Sequence, residues 1–384
     1  MKARICLLTQ KSWVKHLLSY TVLLVISVGL LPPATAFSAK KLSASSAQTY
    51  TVMVGLEKSN KGIGVMSYFP RSVTIHKGDT VHWVQNSNEI HTVTFPDGIL
   101  PPDLLVPSYE VPGADPNVSP LVFTPFVVNQ SPPSGSELII GGLGGGLANS
   151  GIMGREPGQV EEYDLTFVSE GTFGYFCIVH GFAMSGEVVV VGEDQKIASP
   201  NQSMAEGRKQ MAEALSMVPA VVRDAADQVV PPEMNSDGTM SHTVMVGYSE
   251  TVTASYGDLE IDLMQFFPDK LTVRPGDTLM FELSANNVAP HTATFLNGAE
   301  EPALAVFQNG FLYLNSEVFL PSGAGVLTKT GVFNSGLMLP GSGTTFSLTI
   351  GDMKPGLEHF LCLLHDSSGM EGELMVVPRR SDLD

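Results

Sequence analysis

Cysteine is nearly absent from this chain: 3 residues in 384, of which Cys6 lies in the N-terminal segment and only Cys177 and Cys362 fall in the body. That excludes a disulfide-stapled scaffold. A single Cys177–Cys362 bridge remains conceivable, but each cysteine stands three residues before a histidine, and a bridge does not require that. Charge is also sparse and lopsided, at 16% charged residues with 21 Lys and Arg against 39 Asp and Glu. Phosphates would be repelled by such a surface, which excludes nucleic acid as a partner. The acidity keeps an exported protein soluble and also suits a basic protein partner.

Long apolar runs are missing too, with one exception. Leu17 to Leu31 follows a basic start of Lys2, Arg4, Lys11 and Lys15, and leads into Pro32-Pro33 and Ala34-Thr35-Ala36. This is the pattern of a secretory signal over residues 1–36, cut after Ala36. The run falls short of the roughly 20 residues a spanning helix needs, so no stable membrane span is expected after cleavage. Taking four basic residues from 21 leaves 17 against 39 acidic ones, a net charge of −22. The mature chain is therefore expected to be exported, to a periplasm, a thylakoid lumen or the outside of the cell.

What the chain does have is glycine (38), proline (26) and an internal repeat. Thr-Val-Met-Val-Gly occurs at Thr51–Gly55 and again at Thr243–Gly247. Phe69-Pro70 opens a stretch ending in Gly78-Asp79-Thr80, as Phe267-Pro268 opens one ending in Gly276-Asp277-Thr278. His91-Thr92 corresponds to His291-Thr292, and Cys177-x2-His180 to Cys362-x2-His365. Four landmarks in one order read as a tandem duplication. Val73, Ile75, Val81 and Trp83 alternate about a turn, and Leu271, Val273, Leu279 and Phe281 do the same, so short half-buried strands are predicted in both halves. Each half ends in an apolar strand, Val188–Val191 and Leu374–Val377. The expected fold is all-β: two Greek-key β-sandwiches at residues 48–192 and 242–378, joined by a linker over 193–241.

In the linker, Met204, Met211, Leu215, Val218, Val222, Ala225 and Val229 recur at helical spacing, with Pro219 interrupting. They predict a kinked amphipathic helix whose stripe packs on the protein. Each half also holds a long insert between its first histidine and its cysteine. The glycine run at Gly141–Gly146 lacks the Lys-Ser/Thr of a phosphate cradle and reads as a loop.

A Cys and a His three apart, on the loop before a last strand, can turn both side chains to one point. A histidine from another strand end completes a set of two imidazoles and one thiolate, and a following Met supplies a distant thioether. Those donors suit copper in both oxidation states, and zinc only with a stronger fourth ligand. The two candidate sets are His91, Cys177, His180 and Met184, and His291, Cys362, His365 and Met370. With these motifs both halves resemble the cupredoxin family of plastocyanin- and azurin-like blue copper proteins. The resemblance implies two type 1 copper ions per chain and single-electron transfer between redox protein partners. Cys362 to Met370 keeps the plastocyanin-like spacing. Cys177 to Met184 is one residue shorter, which leaves the axial place at the first centre open between Met184 and a backbone carbonyl.

Tandem cupredoxin domains also resemble nitrite reductases and multicopper oxidases, in which a histidine beside the blue-site cysteine leads to a catalytic copper. Here Cys177 lies between Phe176 and Ile178, Cys362 lies between Leu361 and Leu363, and no His-x-His pair exists. His76, His82, His242 and His359 remain, and all four are expected at the surface. Copper carriage or storage would call for Met-rich or His-rich runs, and the 17 Met are scattered. The expectation is an electron carrier and not an enzyme. In such a family the second loop histidine is the exposed edge of the site. Gly181-Phe182-Ala183 therefore predicts an apolar docking patch at the first site, and Asp366-Ser367-Ser368 a charged one at the second.

Overall fold

The alternating segments fold as strands. The computed structural model describes residues 46–379, apart from 59–60, 97, 139–146 and 155–158, so the expected leader and the glycine run at 141–146 lie outside the described residues. In the first half Thr49–Lys58 pairs antiparallel with Ile63–Phe69 and parallel with Thr80–Gln85, which pairs antiparallel with Glu162–Phe167. A second sheet faces it, running Ser72–His76, Gly181–Val191, Gly171–Cys177, Thr94–Phe95. Between them Tyr50, Val73, Ile75, Val81, Trp83, Phe95, Phe167 and Val188 form a dry core. The second half repeats this with Met240–Ala254, Gly257–Phe267, Thr278–Leu283 and Thr345–Ile350 over Lys270–Val273, Glu371–Val376, Gly356–Leu361 and Thr294–Phe295. At its centre Phe360 packs edge-on against Phe266 and Phe281, and Phe281 edge-on against Phe295, an arrangement aromatic rings favour. The chain is all-β sandwich apart from its helices.

Shared motifs close shared turns. The carboxylate of Asp79 accepts the N–H of Gln48 at 2.7 Å and of His76 at 2.9 Å. Asp277 does the same for Met240 and Arg274 at 2.8 and 2.7 Å. Both prolines of the Phe-Pro landmarks follow cis bonds.

The halves meet along a seam that periodicity does not reveal. Gly257–Phe267 pairs antiparallel with Ile63–Phe69, with Glu260 opposite Met66 and Ile261 opposite Val65, so one sheet of each sandwich fuses into a single sheet of eleven strands among the described residues. A separate apolar cluster of Ile63, Val65, Phe69, Leu259, Ile261 and Leu263 fills the seam, closed by the linker helix Pro200–Ala226 through Ala214, Val218, Val221 and Ala225. Ser199 and Gln202 form a capping box at its start, and the helix runs on through Pro219.

The helix is therefore present as expected, but its buried face differs. It consists of Ser203, Gly207, Gln210, Ala214, Val218, Val221 and Ala225, while Leu215 is exposed and Val229 lies beyond the helix end. Close approach decides this in favour of small residues: a Cβ at Gly207 would stand 2.9 Å from the Pro70 nitrogen. Gln210 accepts the N–H of Arg71 at 3.0 Å.

The long inserts are ordered elements in both halves. Leu105–Pro107 and Leu121–Phe123 from the first pair with Ala305–Gln308 and Phe311–Leu314 from the second, with Tyr313 opposite Val122, in one four-stranded sheet. Phe123, Val127, Ile152 and Leu314 form the cluster beneath it, with Ile90 and Ile178 packed alongside.

Candidate metal centres

The sequence places the ligand candidates on strand ends, and the sandwiches bring them together. His91 leads into the short strand Thr94–Phe95, Cys177 ends Gly171–Cys177, and His180 stands on the loop before Gly181–Val191. His91 Nδ1 lies 3.2 Å from His180 Nδ1, and Cys177 Sγ lies 3.4 Å from His180 Nδ1 and 4.0 Å from His91 Nδ1. The second half matches: His291 and His365 Nδ1 are 2.9 Å apart, and Cys362 Sγ is 3.5 Å from His365 Nδ1 and 3.8 Å from His291 Nδ1. Within each trio all ligand atoms fall within 4.8 Å of one another. Metal–imidazole bonds of about 2 Å reach a common ion at such separations.

The surroundings prepare these atoms for a cation. The outer nitrogen of His291 meets Asn287 Oδ1 at 3.2 Å, and Asn287 Nδ2 is turned to the Ala289 carbonyl, so Nε2 carries the proton and Nδ1 the lone pair. At the first centre Ser87 Oγ occupies the same place, 2.9 Å from His91 Nε2. Burial, followed by the charge of His180, holds His91 well below the usual imidazole range, and burial with His365 does the same to His291. His180 is brought down to about 4, mainly by burial. Each cysteine sulfur accepts a backbone N–H at 3.3 Å, Cys177 from Thr92 and Cys362 from Thr292. Burial pushes the Cys177 thiol up, and the N–H donors around it work the other way. The same threonines clamp the cysteine strand, their hydroxyls accepting the N–H of Ile178 and of Leu363 at 2.8 Å. This is the role of the repeated His-Thr pair.

Met184 and Met370 are fully buried in the cores that hold Cys177 and Cys362. They arrive differently. Met370 donates its N–H to the His365 carbonyl at 3.0 Å and precedes Glu371–Val376, whereas Met184 lies inside Gly181–Val191.

Two supports went unread in the sequence although their signals are present. The glycine of each Thr-Val-Met-Val-Gly sits at a bulge with positive φ, 70° at Gly55 and 65° at Gly247. A Cβ there would collide with the ring of His91 or His291. The inserts also carry a fifth matched motif, Asn149-Ser-Gly-Ile-Met153 and Asn334-Ser-Gly-Leu-Met338. Met153 and Met338 exchange backbone hydrogen bonds with His91 and His291. Asn149 and Asn334 tie Thr94 and Thr294 to the turns at Pro125–Val128 and Ser316–Phe319.

No family model matches the chain. Among characterised proteins it is similar to a plastocyanin of Synechococcus sp. (strain JA-2-3B'a(2-13)), 28% identical over 172 residues, 44% of this chain and 90% of that protein. A plastocyanin of Nostoc punctiforme is 37% identical over 75 residues, 20% of this chain and 44% of its own. An amicyanin of Paracoccus versutus is 25% identical over 156 residues, covering 41% and 76%. The chain is thus similar to cupredoxins, plastocyanins and an amicyanin among them. Among solved structures, amicyanin from Paracoccus versutus aligns over 38% of this chain and 83% of its own, at 21% identity and a TM-score of 0.20.

The chain departs from expectation at the edge of its second site. His365 is 5% exposed and Ser368 is fully buried, while Asp366 is half-buried and Ser367 exposed, so part of the predicted charged patch reaches the surface but the edge of the ligand does not. The first half covers it: Gly62 donates its N–H to the Ser368 carbonyl at 2.8 Å, and Asn88 Nδ2 donates to the Ser367 carbonyl at 3.0 Å. The first site keeps its edge, with His180 half-buried and Phe182 66% exposed, stacked on Phe176 at 4.4 Å. Of the other histidines, His82 meets Asp164 at 2.8 Å, His76 meets the Gln195 carbonyl at 2.9 Å and His359 is exposed. His242 is buried beside Asp277 rather than at the surface, its strand start flanked by Glu233–Met234 on one side and Thr278–Leu283 on the other.

Proposed function

We propose that this chain is an exported type 1 copper protein that passes single electrons between redox partners through two mononuclear centres. His91, Cys177 and His180, with Met184, would hold the first ion, and His291, Cys362 and His365, with Met370, would hold the second. The modules span 48–192 and 242–378, with residues 1–36 as the leader and 193–241 as the linker. What carries the reading is the twofold presence of a buried thiol and two imidazoles whose Nδ1 atoms face one another. The likeness to plastocyanins and an amicyanin supports it.

Bound copper supplies a one-electron couple accessible to both imidazole and thiolate donors. The protein holds those donors in a buried, hydrogen-bonded frame, so that little has to rearrange when the charge changes. Water is excluded by the surrounding core. Among the described residues no helix is long and apolar enough to cross a membrane. The rival readings are a copper oxidoreductase with an interdomain or intersubunit catalytic copper and a copper carrier or storage protein.

Copper stoichiometry with the visible spectrum tests this. Two coppers with intense thiolate charge-transfer absorption are expected, and Cys177→Ser and Cys362→Ser should each remove about one ion and its band. Loss of both bands in either variant, or absence of the bands from the purified protein, contradicts it. Turnover of nitrite or oxygen would favour the enzyme reading.

A further inference from the structure

One carboxylate crosses from the first half into the second centre. Glu89 is two residues before His91 and is 8% exposed. Its Oε2 lies 3.5 Å from Nε2 of His365, and its Oε1 accepts from Ser368 Oγ at 3.5 Å. The loop that presents Glu89 is fixed at both ends. The amide of Gln85 donates to the Glu89 carbonyl, and Asn88 is tied to Glu57 on one side and to the Ser367 carbonyl on the other. The matched position in the second half is Ala289, so no carboxylate returns toward the first centre.

His365 offers Nδ1 toward Cys362 and His291 and Nε2 toward Glu89. A metal-bound histidine whose other nitrogen donates to a carboxylate has its tautomer and ring plane fixed and its basicity raised. The same contact shuts the outward edge of the second centre, while His180 and Phe182 leave the first open. Glu89 also lies within electrostatic reach of His180. Through the chain, only Ile90 separates this carboxylate from His91, a candidate ligand of the first ion.

We propose that Glu89 is a carboxylate lent by the first half to the second centre, holding His365 by its outer nitrogen and joining both centres into one relay with a single outward edge, that of His180. The proposal rests on the two-copper reading above. With copper bound at both, one electron would pass from a reduced first centre to an oxidised second, and no proton or bond would be transferred. Glu89 is a positioning residue here, acting through His365. The second centre has no docking face of its own and exchanges electrons with the outside by way of the first.

Single-centre backgrounds isolate the effect. In Cys177→Ser, where only the second centre loads, Glu89→Ala is expected to weaken copper binding about 10- to 100-fold, measured by competition with a chromophoric chelator. Glu89→Gln keeps a hydrogen-bond acceptor but removes a negative charge that favours Cu(II) over Cu(I), so it should raise the reduction potential of that centre. In Cys362→Ser the same substitutions should leave the affinity and band of the first centre unchanged and move its potential by less than that of the second, which also reports an intact fold. An unchanged second centre, or equal changes at both, overturns the role of Glu89.

The relay has its own readout. With a reduced c-type cytochrome as a bulky donor, the second centre of Cys177→Ser should lose the fast phase of reduction, while the first centre of Cys362→Ser keeps it. Equally fast reduction of the second centre in wild type and Cys177→Ser sinks the single-edge proposal. Failure of either cysteine variant to show a copper band would instead count against the two-copper reading itself.

Discussion

At the scale of single residues, each centre depends on an atom that is not there. Gly55 and Gly247 present bare backbone to an imidazole, in a left-handed conformation that side chains resist. Gly247→Ala is therefore expected to push His291 off its place, broadening or abolishing the thiolate band of the second centre while leaving the first, and Gly55→Ala should do the converse. Visible and EPR spectra of the two variants check this, and an unaltered spectrum in both would refute the collision. The ligands themselves were legible because their key relation is local: three residues separate Cys177 from His180 and Cys362 from His365. The glycines were visible as part of a repeated pentapeptide, yet their purpose depends on a histidine some 36 to 44 positions away, and no periodicity connects the two.

At the scale of elements, alternation and helical spacing gave the strands and the linker helix, because each follows from which side chains can face a core. The orientation of the helix was not legible. Its stripe of large residues competed with a stripe of small ones, and the close approach of Gly207 to Pro70 decided the contest. The seam strand Gly257–Phe267 was similarly ambiguous, since it carries Glu260 and Asp262 among apolar neighbours and both are buried. Burial, aided by Asp262, raises the Glu260 carboxyl to about 7, and burial is the main reason Asp262 rises to about 6.

An unfolded glutamate ionises near about 4.3. Between that value and about 7 the folded state holds more protons than the unfolded one, so the contribution of Glu260 to stability falls as pH rises through this window. Glu260→Gln should raise the thermal midpoint at pH 8 and change it little at pH 4, at fixed copper loading. Equal shifts at the two pH values would show that ionisation is not the cause. Ile261→Ala in the same strand removes a fully buried side chain from the seam and should cost about 2–5 kcal/mol at either pH.

At the scale of the whole molecule, the two halves are unequal copies. The first offers Phe182 and the edge of His180 to solvent, while the second has its corresponding loop roofed by Asn88, Glu89 and Gly62. Phe182→Asp should therefore slow electron exchange with every protein partner at both centres, without altering copper content, as followed by stopped-flow absorbance. Undiminished rates would place docking elsewhere. The exposed apolar edge at Phe182 was legible in the sequence, but the roof over the second loop was not, since the loops after His180 and His365 looked like two independent docking surfaces. Glu89 and Ser368 are 279 positions apart, and only the fused sheet brings them together.

The sheet built from both inserts has a bearing on how such a chain can change over time. Each half donates a pair of adjacent strands, and the two pairs join where Val122 of one insert meets Tyr313 of the other. Shortening either insert alone would strip its neighbour of a pairing partner and leave an open strand edge, the kind of surface that recruits foreign chains. The two copies are thus no longer free to drift apart in length. A lineage that trims one must trim the other, and a gene fragment carrying one half inherits an exposed edge along with its copper ligands.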